Sequence, residues 1–591
     1  MGFFLPALLR GQDAGQPPPQ PGAAQPATGQ LVTLHGVVRN EATGEPLPRA
    51  LVRIEGDADT GALTDGEGRF EIPDLATGPQ AVEVIKPGFV DEMFSSAGGD
   101  DDVRVFIAAM AMGARNVLVA AEMPDVVFAM SPTNAIRGQI QLSTGDSAQG
   151  VEVTLLQRAV MSGRFVWQVA STAKANSDGI YRFAGLGDGV YAVYTNPAMD
   201  SEAATNLIAM GRAGSVSRSG YASQFYPEAR DLAGAAKIRL KGGEQAEANL
   251  TLTLEPFHAV TAVVVSGDGR RSMDSTLAQP GVVTAAIVMD GQGHQLPYFA
   301  QYDSATHTLQ ASLPDGTYSI LVTVMTPGNA VRSAVGAGLS ATLQIAPTSF
   351  GQLDFSVAGH AVSNLRIPVS PIHSSQVQVS LIRSGVQAAN ASTASQGPDG
   401  VSLVVSQTGG GVLDGMVSSY AEGPVSGPLI GAPVQPGSYW VHTNVPSKAY
   451  CEGSLTAGGA NLAREPLMIG LSGPASSVSL ALRSDCASLT LSLPATMAVP
   501  AAGEEPFFTV YVVPDFDSTQ DVNTQTLRAS TGGTVTLDGL TPGNYHVYTF
   551  TRPVELAYRN AETMAALQNP GQAVTLSPGA KANVVVEAPE H

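Results

Sequence analysis

Lysine occurs only six times in 591 residues. Lysine and arginine together number 31 against 51 aspartates and glutamates, and charged residues of both signs make up 14% of the chain. Gripping phosphate takes a clustered basic footprint, so no nucleic-acid partner is expected. The net charge of −20 is spread over the whole length, serves solubility and names no ligand. Long apolar runs are missing too. A membrane-spanning helix needs roughly 18 to 20 uninterrupted apolar residues, and the best candidate, VFIAAMAMGA from Val105, is soon broken by Arg115 and Asn116. No transmembrane segment is expected. Amphipathic helical patterns are scarce, with 202–210 and 562–568 the two modest candidates.

Signatures of catalysis are equally sparse. None of the nine histidines begins a His-x-x-Glu pair or a His-Glu-x-x-His zinc motif. There is no Gly-x-Ser-x-Gly nucleophile elbow, and no Gly-Lys dipeptide from which a phosphate-binding loop could be written. No enzymatic activity, cofactor or metal is expected, although a site built from dispersed carboxylates leaves no mark in a sequence. The acidic groups Asp57, Asp59 and Asp65, and Asp100, Asp101 and Asp102, match no calcium-loop spacing and read as solvated loop acids.

What the chain does have is 64 glycines and 40 prolines, a mix that favours turns, together with 44% apolar residues, enough to bury several cores. Residues 1–30 combine a short apolar stretch, MGFFLPALL, with a Pro/Gln/Ala segment that cannot pack. They read as the remnant of a secretory signal peptide followed by a linker.

From there on one pattern recurs: a strand, a Leu or Val, a Gly turn, often a Tyr, then a second strand. The copies read TDGEGRFEIPDLATGPQAVEV, SDGIYRFAGLGDGVYAVYT, HTLQASLPDGTYSILVTV, GAPVQPGSYWVHT and GTVTLDGLTPGNYHVYTF. Their anchors, Leu75, Leu186, Leu313, Val434 and Leu540, are 106 to 127 residues apart, the size of a small sandwich domain. Each copy reads as a β-hairpin, with Asp65-Gly66 and Asp178-Gly179 as turn formers. The spacing of Leu540, Gly543 and Tyr545 lets the Tyr pack inward and tie its hydroxyl to nearby backbone, as a tyrosine corner does. The first copy has Gln80 at that place, so the device is not expected in every unit. Strands such as LVRIEG, VEVTLLQ, AVTAVVV and FFTVYVV fill the intervals.

The expectation is an all-β chain, a linear tandem array of about five Greek-key (prealbumin-like or Ig-like) β-sandwich domains with small interfaces between neighbours. They are expected at 31–130, 131–255, 256–365, 366–482 and 483–591.

The first unit carries HGVVRNEATGEPLPRALVRIEG followed by LTDGEGRFEIPDL. Through Gly36, Val38, Thr43-Gly44, Pro46-Leu47, Ala50, Val52, Asp65, Gly66, Gly68 and Phe70 it resembles the carboxypeptidase regulatory-like domain, a prealbumin-like Greek-key sandwich. The second unit, 131–255, resembles the same family less fully, through Gly138, Gly150-Val151 and 178–191. The resemblance implies non-catalytic accessory modules in an exported bacterial protein. No catalytic residue carries over, and the peptidase domain found beside some family members is absent.

Three rings are candidates for stacking against a carbohydrate: Trp167, which shares a strand face with Phe165; Tyr226, in the loop-like Phe225-Tyr226-Pro227; and Trp440, which faces outward or toward a neighbouring domain because Tyr439 takes the inward slot. Half-buried core packing explains Trp167 equally well. Cys451 and Cys486, the two cysteines, flank the fourth seam and are candidates for a disulfide. Closing such a loop contributes on the order of 3 to 4 kcal/mol by the chain-entropy estimate. No cysteine stands near the N-terminus to accept a lipid. The expected protein is extracytoplasmic, in the periplasm, on the cell surface or secreted. It would present binding or adhesion surfaces to polysaccharide or envelope proteins, with a structural spacer and an unrecognised hydrolase as alternatives. Oligomeric state is left open.

Overall fold

The computed structural model describes residues 31–587 apart from 92–102, 105–113, 201–217, 268–282, 291–294, 333–342, 372–375, 383–399, 409–416 and 498–502 and several gaps of one to three residues. The leader 1–30, Asp100 to Asp102 and the helix candidate 202–210 lie outside the described residues. Among those described, the one α-helix is Ala561–Ala566, overlapping the second expected helix and beginning one residue before it; Asn560 caps it, its side chain accepting from the Thr563 backbone N–H.

Apart from a 3-10 turn at Ala529–Thr531, the rest of the described regular structure is strand, and one wiring pattern repeats five times. Each unit opens with a strand: Leu31–Asn40, Asn134–Leu142, Leu254–Ser266, Gln376–Ile382 and Ala487–Ser492. Each opening strand pairs antiparallel with the first strand of the recurrent pattern: Arg69–Ala76, Ile180–Leu186, Thr308–Leu313, Leu429–Gly431 or Thr534–Leu540. On its other side it pairs parallel with the strands that close the unit: Val126–Pro132, the short pair Gln245–Glu247 and Leu250–Leu252, Val362–Pro371, Val478–Arg483 and Lys581–Val585. Apolar residues of these strands and of the sheets facing them point into five cores, such as Leu34, Val38, Phe70, Val84 and Phe128 in the first and Leu489, Val510, Leu527 and Tyr545 in the fifth.

The recurrent pattern is not a hairpin. Its second strands, Gly78–Ile85, Gly189–Thr195, Gly316–Arg332, Gly437–Asn444 and Gly543–Phe550, ladder with other partners, and in the first, second and fifth units they lie in the opposite sheet from the first strands. The third and fourth units have one strand, Val362–Pro371 or Leu429–Gly431, that pairs into both layers. The pattern is therefore a corner that carries the chain from one layer of the sandwich to the other. A corner leaves carbonyls at the turn without ladder partners, and a side chain satisfies one of them in every unit. The hydroxyls of Tyr191, Tyr318, Tyr439 and Tyr545 donate to the carbonyl four residues back, Gly187, Pro314, Gln435 and Thr541, at 2.6–3.0 Å. Gln80 does the same in the first unit, its amide donating to Ala76 O at 3.1 Å. The device is universal although the tyrosine is not.

The Asp-Gly turns also shift. Asp65 accepts from the N–H groups of Glu67 and Arg69, with Gly68 at φ 73°, and the residue with those contacts in the second unit is Asn176, ahead of Gly179 at φ 74°. Asp65 thus corresponds to Asn176 and not to Asp178. The aromatic that follows, Phe70 or Tyr181, lies against Gly36 or Gly138 in the opening strand, where a Cβ would collide with the ring and with a carbonyl of the closing strand. Glycine is required there by close approach.

Two expectations need correction. The closing strand Val362–Pro371 runs through residue 366 and puts Ile367 and Val369 into the third core, so we propose the third seam after 371 and keep the others near 131, 256 and 483. Nor is the array linear. Gly503–Glu504 of the fifth unit extends a sheet of the first by pairing with Val117 and Leu118, and Glu555–Leu556 pairs with Val103–Arg104. The second unit also reaches the fourth and the fifth.

Candidate functional site: the junction at Asp521

The second unit contains a true hairpin, Glu152–Met161 with Arg164–Lys174, closed by the two-residue turn Ser162-Gly163. Both turn residues have positive φ, 49° and 74°, the pairing that suits the twist of a two-residue hairpin. Its tip enters the seam between the fourth and fifth units. There the loop joining Phe507–Pro514 to Gln525–Arg528, with the sequence DFDSTQDV from 515 to 522, meets the outer face of the fourth unit.

Asp521 is the hub. Its Oδ2 accepts from Ser162 Oγ at 3.0 Å, and its Oδ1 accepts from His442 Nδ1 at 3.0 Å and from Arg559 Nη2 at 3.4 Å. A carboxylate only accepts, so His442 presents an Nδ1–H to it, and its Nε2 lies within hydrogen-bond distance of the Ser406 hydroxyl, at 2.8 Å. Burial pushes the Asp521 carboxyl up. The hydrogen bond and charge of His442, with Arg559 and Ser162, outweigh it and hold the group below the usual carboxylate value. Above the carboxylate, Arg164 lies over the Trp440 indole at 3.5 Å and donates to Ala463 O at 2.9 Å. Burial, with the like charge of Arg559 second, pulls Arg164 down to about 10, still protonated at neutral pH. Tyr558, raised to about 12 by burial, walls the pocket of the turn.

A second carboxylate, this one buried, fastens the same loop. Glu452, 3% exposed and placed at a register shift in the strand Cys451–Ala457, accepts from Ser518 Oγ, Thr519 N, Thr519 Oγ1 and Gln520 N at 2.7–2.9 Å. Asp517 pairs with Arg464 at 2.7 Å. Cys451, next to Glu452, is bonded to Cys486 with Sγ–Sγ 2.16 Å and Cα–Cα 5.8 Å.

Ser406, His442 and Asp521 thus stand in the bonding order of an acyl-transfer triad. Such chemistry also needs an approachable Oγ with oxyanion donors beside it. Ser406 is 7% exposed and stands in the strand Gly400–Gln407, directly across the ladder from Trp440. The hollow of about 80 Å³ beside Asp521 is lined by Phe516, Ser518, Gln520, Asp538 and Tyr545 among others, and by neither Ser406 nor His442. The relay satisfies both nitrogens of a buried imidazole where two units meet.

The three candidate rings lie apart. Trp440 has one face covered by Arg164. Trp167 is half-buried on the outer face of its sheet with Leu156, Tyr194 and Phe225, and the Lys237 ammonium stands 4.9 Å from its ring. Tyr226 is half-buried against the main core of the second unit. Asp57 and Asp65 hold turns, accepting from Asp59 N and Thr60 Oγ1 and from Glu67 N and Arg69 N. Among the described residues no group of three His, Cys, Asp or Glu side chains is placed to hold a metal ion. Asp521, His442, Glu452 and Arg164 escaped the sequence reading. The available signals were three acids within seven residues, 515 to 521, in a charge-poor chain, and the Ser-Gly pair between RAVM and RFVW.

Residues 33–108 match the family model of the carboxypeptidase regulatory-like domain, and the first unit is such a domain. No curated protein matches the sequence. Among solved structures, the chain is similar to the Bacillus anthracis TIE protein at 10% identity and a TM-score of 0.16, covering 76% of this chain and 74% of that one. It is similar to a streptococcal ancillary pilin at 11% identity and 0.18, covering 58% and 99%. A minor pilin of Streptococcus agalactiae follows at 14% identity and 0.18, covering 38% and 95%.

Proposed function

We propose that this chain is a non-catalytic, exported multi-domain protein of the cell envelope, which holds β-sandwich modules in a fixed arrangement and presents their loops as binding or adhesion surfaces. The observation that carries this reading is the junction at Asp521. A cluster of buried and half-buried polar groups joins three units of the chain, with its serine 7% exposed. The carboxypeptidase regulatory-like domain at 33–108 supports it, since that resemblance implies an accessory module. The partner class we propose is envelope polysaccharide or an envelope protein, and export through the N-terminal segment belongs to the same proposal. Two experiments test it. Cell fractionation must find the protein outside the cytoplasm. The purified full chain, offered a glycan array and isolated envelope components, must bind at least one without hydrolysing it. Retention in the cytoplasm or turnover of a bound substrate contradicts the reading, and export without any binding leaves only the spacer.

A further inference from the structure

We propose that the Ser162-Gly163 turn is a clasp whose seating locks the second unit onto the fourth and fifth and covers Trp440, and whose release opens the molecule there. Four of the five residues 160 to 164 make the contact, each with a unit distant in sequence. The Val160 N–H points to Glu555 Oε2 at 3.4 Å, and Ser162 donates to Asp521. The Gly163 carbonyl accepts from the Arg559 N–H at 2.9 Å. Arg164 caps Trp440 and reaches Ala463 O. Gly163 is the fitted element. It lies against the ring of Tyr558, so that a Cβ would stand 2.6–2.7 Å from three ring carbons, and its φ of 74° disfavours any other residue.

The clasp is also built to cost something. Two guanidiniums, Arg164 and Arg559, are buried near each other around one shared carboxylate, and Nε of each is buried without a hydrogen-bond partner. Unpartnered buried donors disfavour the seated state, and the aromatic and carboxylate contacts offset them. A contact with large opposing terms has a small net free energy, as a reversible lock requires.

The test uses tryptophan fluorescence of the full chain. In a Trp167→Phe background Trp440 is the only tryptophan, and acrylamide quenching reports whether its face is covered. Gly163→Val is expected to raise the quenching constant severalfold and to increase the radius of gyration in solution scattering, with the circular dichroism unchanged. Gly145→Val is the control, because Gly145 also has positive φ, 83°, but nothing within 4 Å of the added Cβ. It should leave both readouts unmoved. If Gly163→Val does not fold, Gly163→Ala is read the same way, since the clash is with the first carbon. A folded Gly163 variant whose Trp440 stays as protected as before, or a Gly145 variant that loosens Trp440 equally, overturns the proposal.

Discussion

Asp521 of the fifth unit accepts a hydrogen bond from Ser162 of the second through one carboxylate oxygen and from His442 of the fourth through the other, each at 3.0 Å. One side chain therefore ties together residues 359 and 79 positions away from it in sequence. The contact is polar and partly wet, with the Asp521 side chain 41% exposed, so its strength depends on pH and on the completeness of its partners.

Glu452 is the stiffer tie. Replacing it by Ala leaves two backbone N–H groups and two hydroxyls of residues 518–520 without their acceptor, a loss of about 3 kcal/mol for a buried charged hydrogen-bonding group. Glu452→Gln keeps half the acceptors and should lose clearly less. Denaturant midpoints of the two variants against the parent check the order.

The corner bonds separate in the same measurement. Tyr439→Phe removes one hydroxyl from a buried site and leaves the Gln435 carbonyl unpaired, an expected loss of about 1 kcal/mol. Gln80→Ala removes the corresponding bond at an exposed site, where water replaces it, and should lose less than about 0.5 kcal/mol. Equal losses would mean that burial of the site does not set the worth of the corner bond.

Acid should loosen the junction. The Asp521 carboxyl in the folded chain sits below its ordinary value of 3.8. A group depressed in this way contributes stability above its unfolded pKa, and that contribution disappears as the pH falls through the folded pKa. The groups facing it are His442, Arg559, Arg164, Tyr558 and Ser162. Trp440 quenching is expected to be flat from neutral pH down to about pH 4 and to rise below it, whereas Asp521→Asn should show no such rise. A parent profile identical to that of Asp521→Asn would exclude the carboxylate as the titrating group.

Removing the Cys451–Cys486 bond by paired Ala substitutions opens a loop of 35 residues and should lower stability on the order of 3 to 4 kcal/mol by the chain-entropy estimate. Alkylation of both thiols in the untreated parent would show that they are not bonded.

What the sequence made legible is what chain neighbours decide. The Leu/Val, Gly and Tyr of each corner act within five residues, so their spacing marked five units, and Tyr545 bonds its own backbone four residues back. Which strand pairs with which is decided elsewhere: Ile180–Leu186 and Gly189–Thr195 alternate as a hairpin would, yet ladder into different sheets. Gln80 was misjudged because its type differs from tyrosine while its donor reaches the same carbonyl. Trp440 stands outside the core that its neighbours Tyr439 and Val441 enter, and that it meets Arg164 follows only once three units have come together. Ser406 and His442 carry no local pattern, since each is ordinary in its own strand, and the acid cluster at 515 to 521 that includes Asp521 does not say what it meets.

The most direct test of the account is a double-mutant cycle between Ser162 and Asp521 in the full chain, from the denaturation free energies of Ser162→Ala, Asp521→Ala and the double variant. A hydrogen bond from a hydroxyl to a carboxylate across this interface should appear as a coupling of about 1 kcal/mol, the double variant losing less than the sum of the singles. Additivity within about 0.3 kcal/mol would contradict it, because the second and fifth units would then not be joined at Asp521.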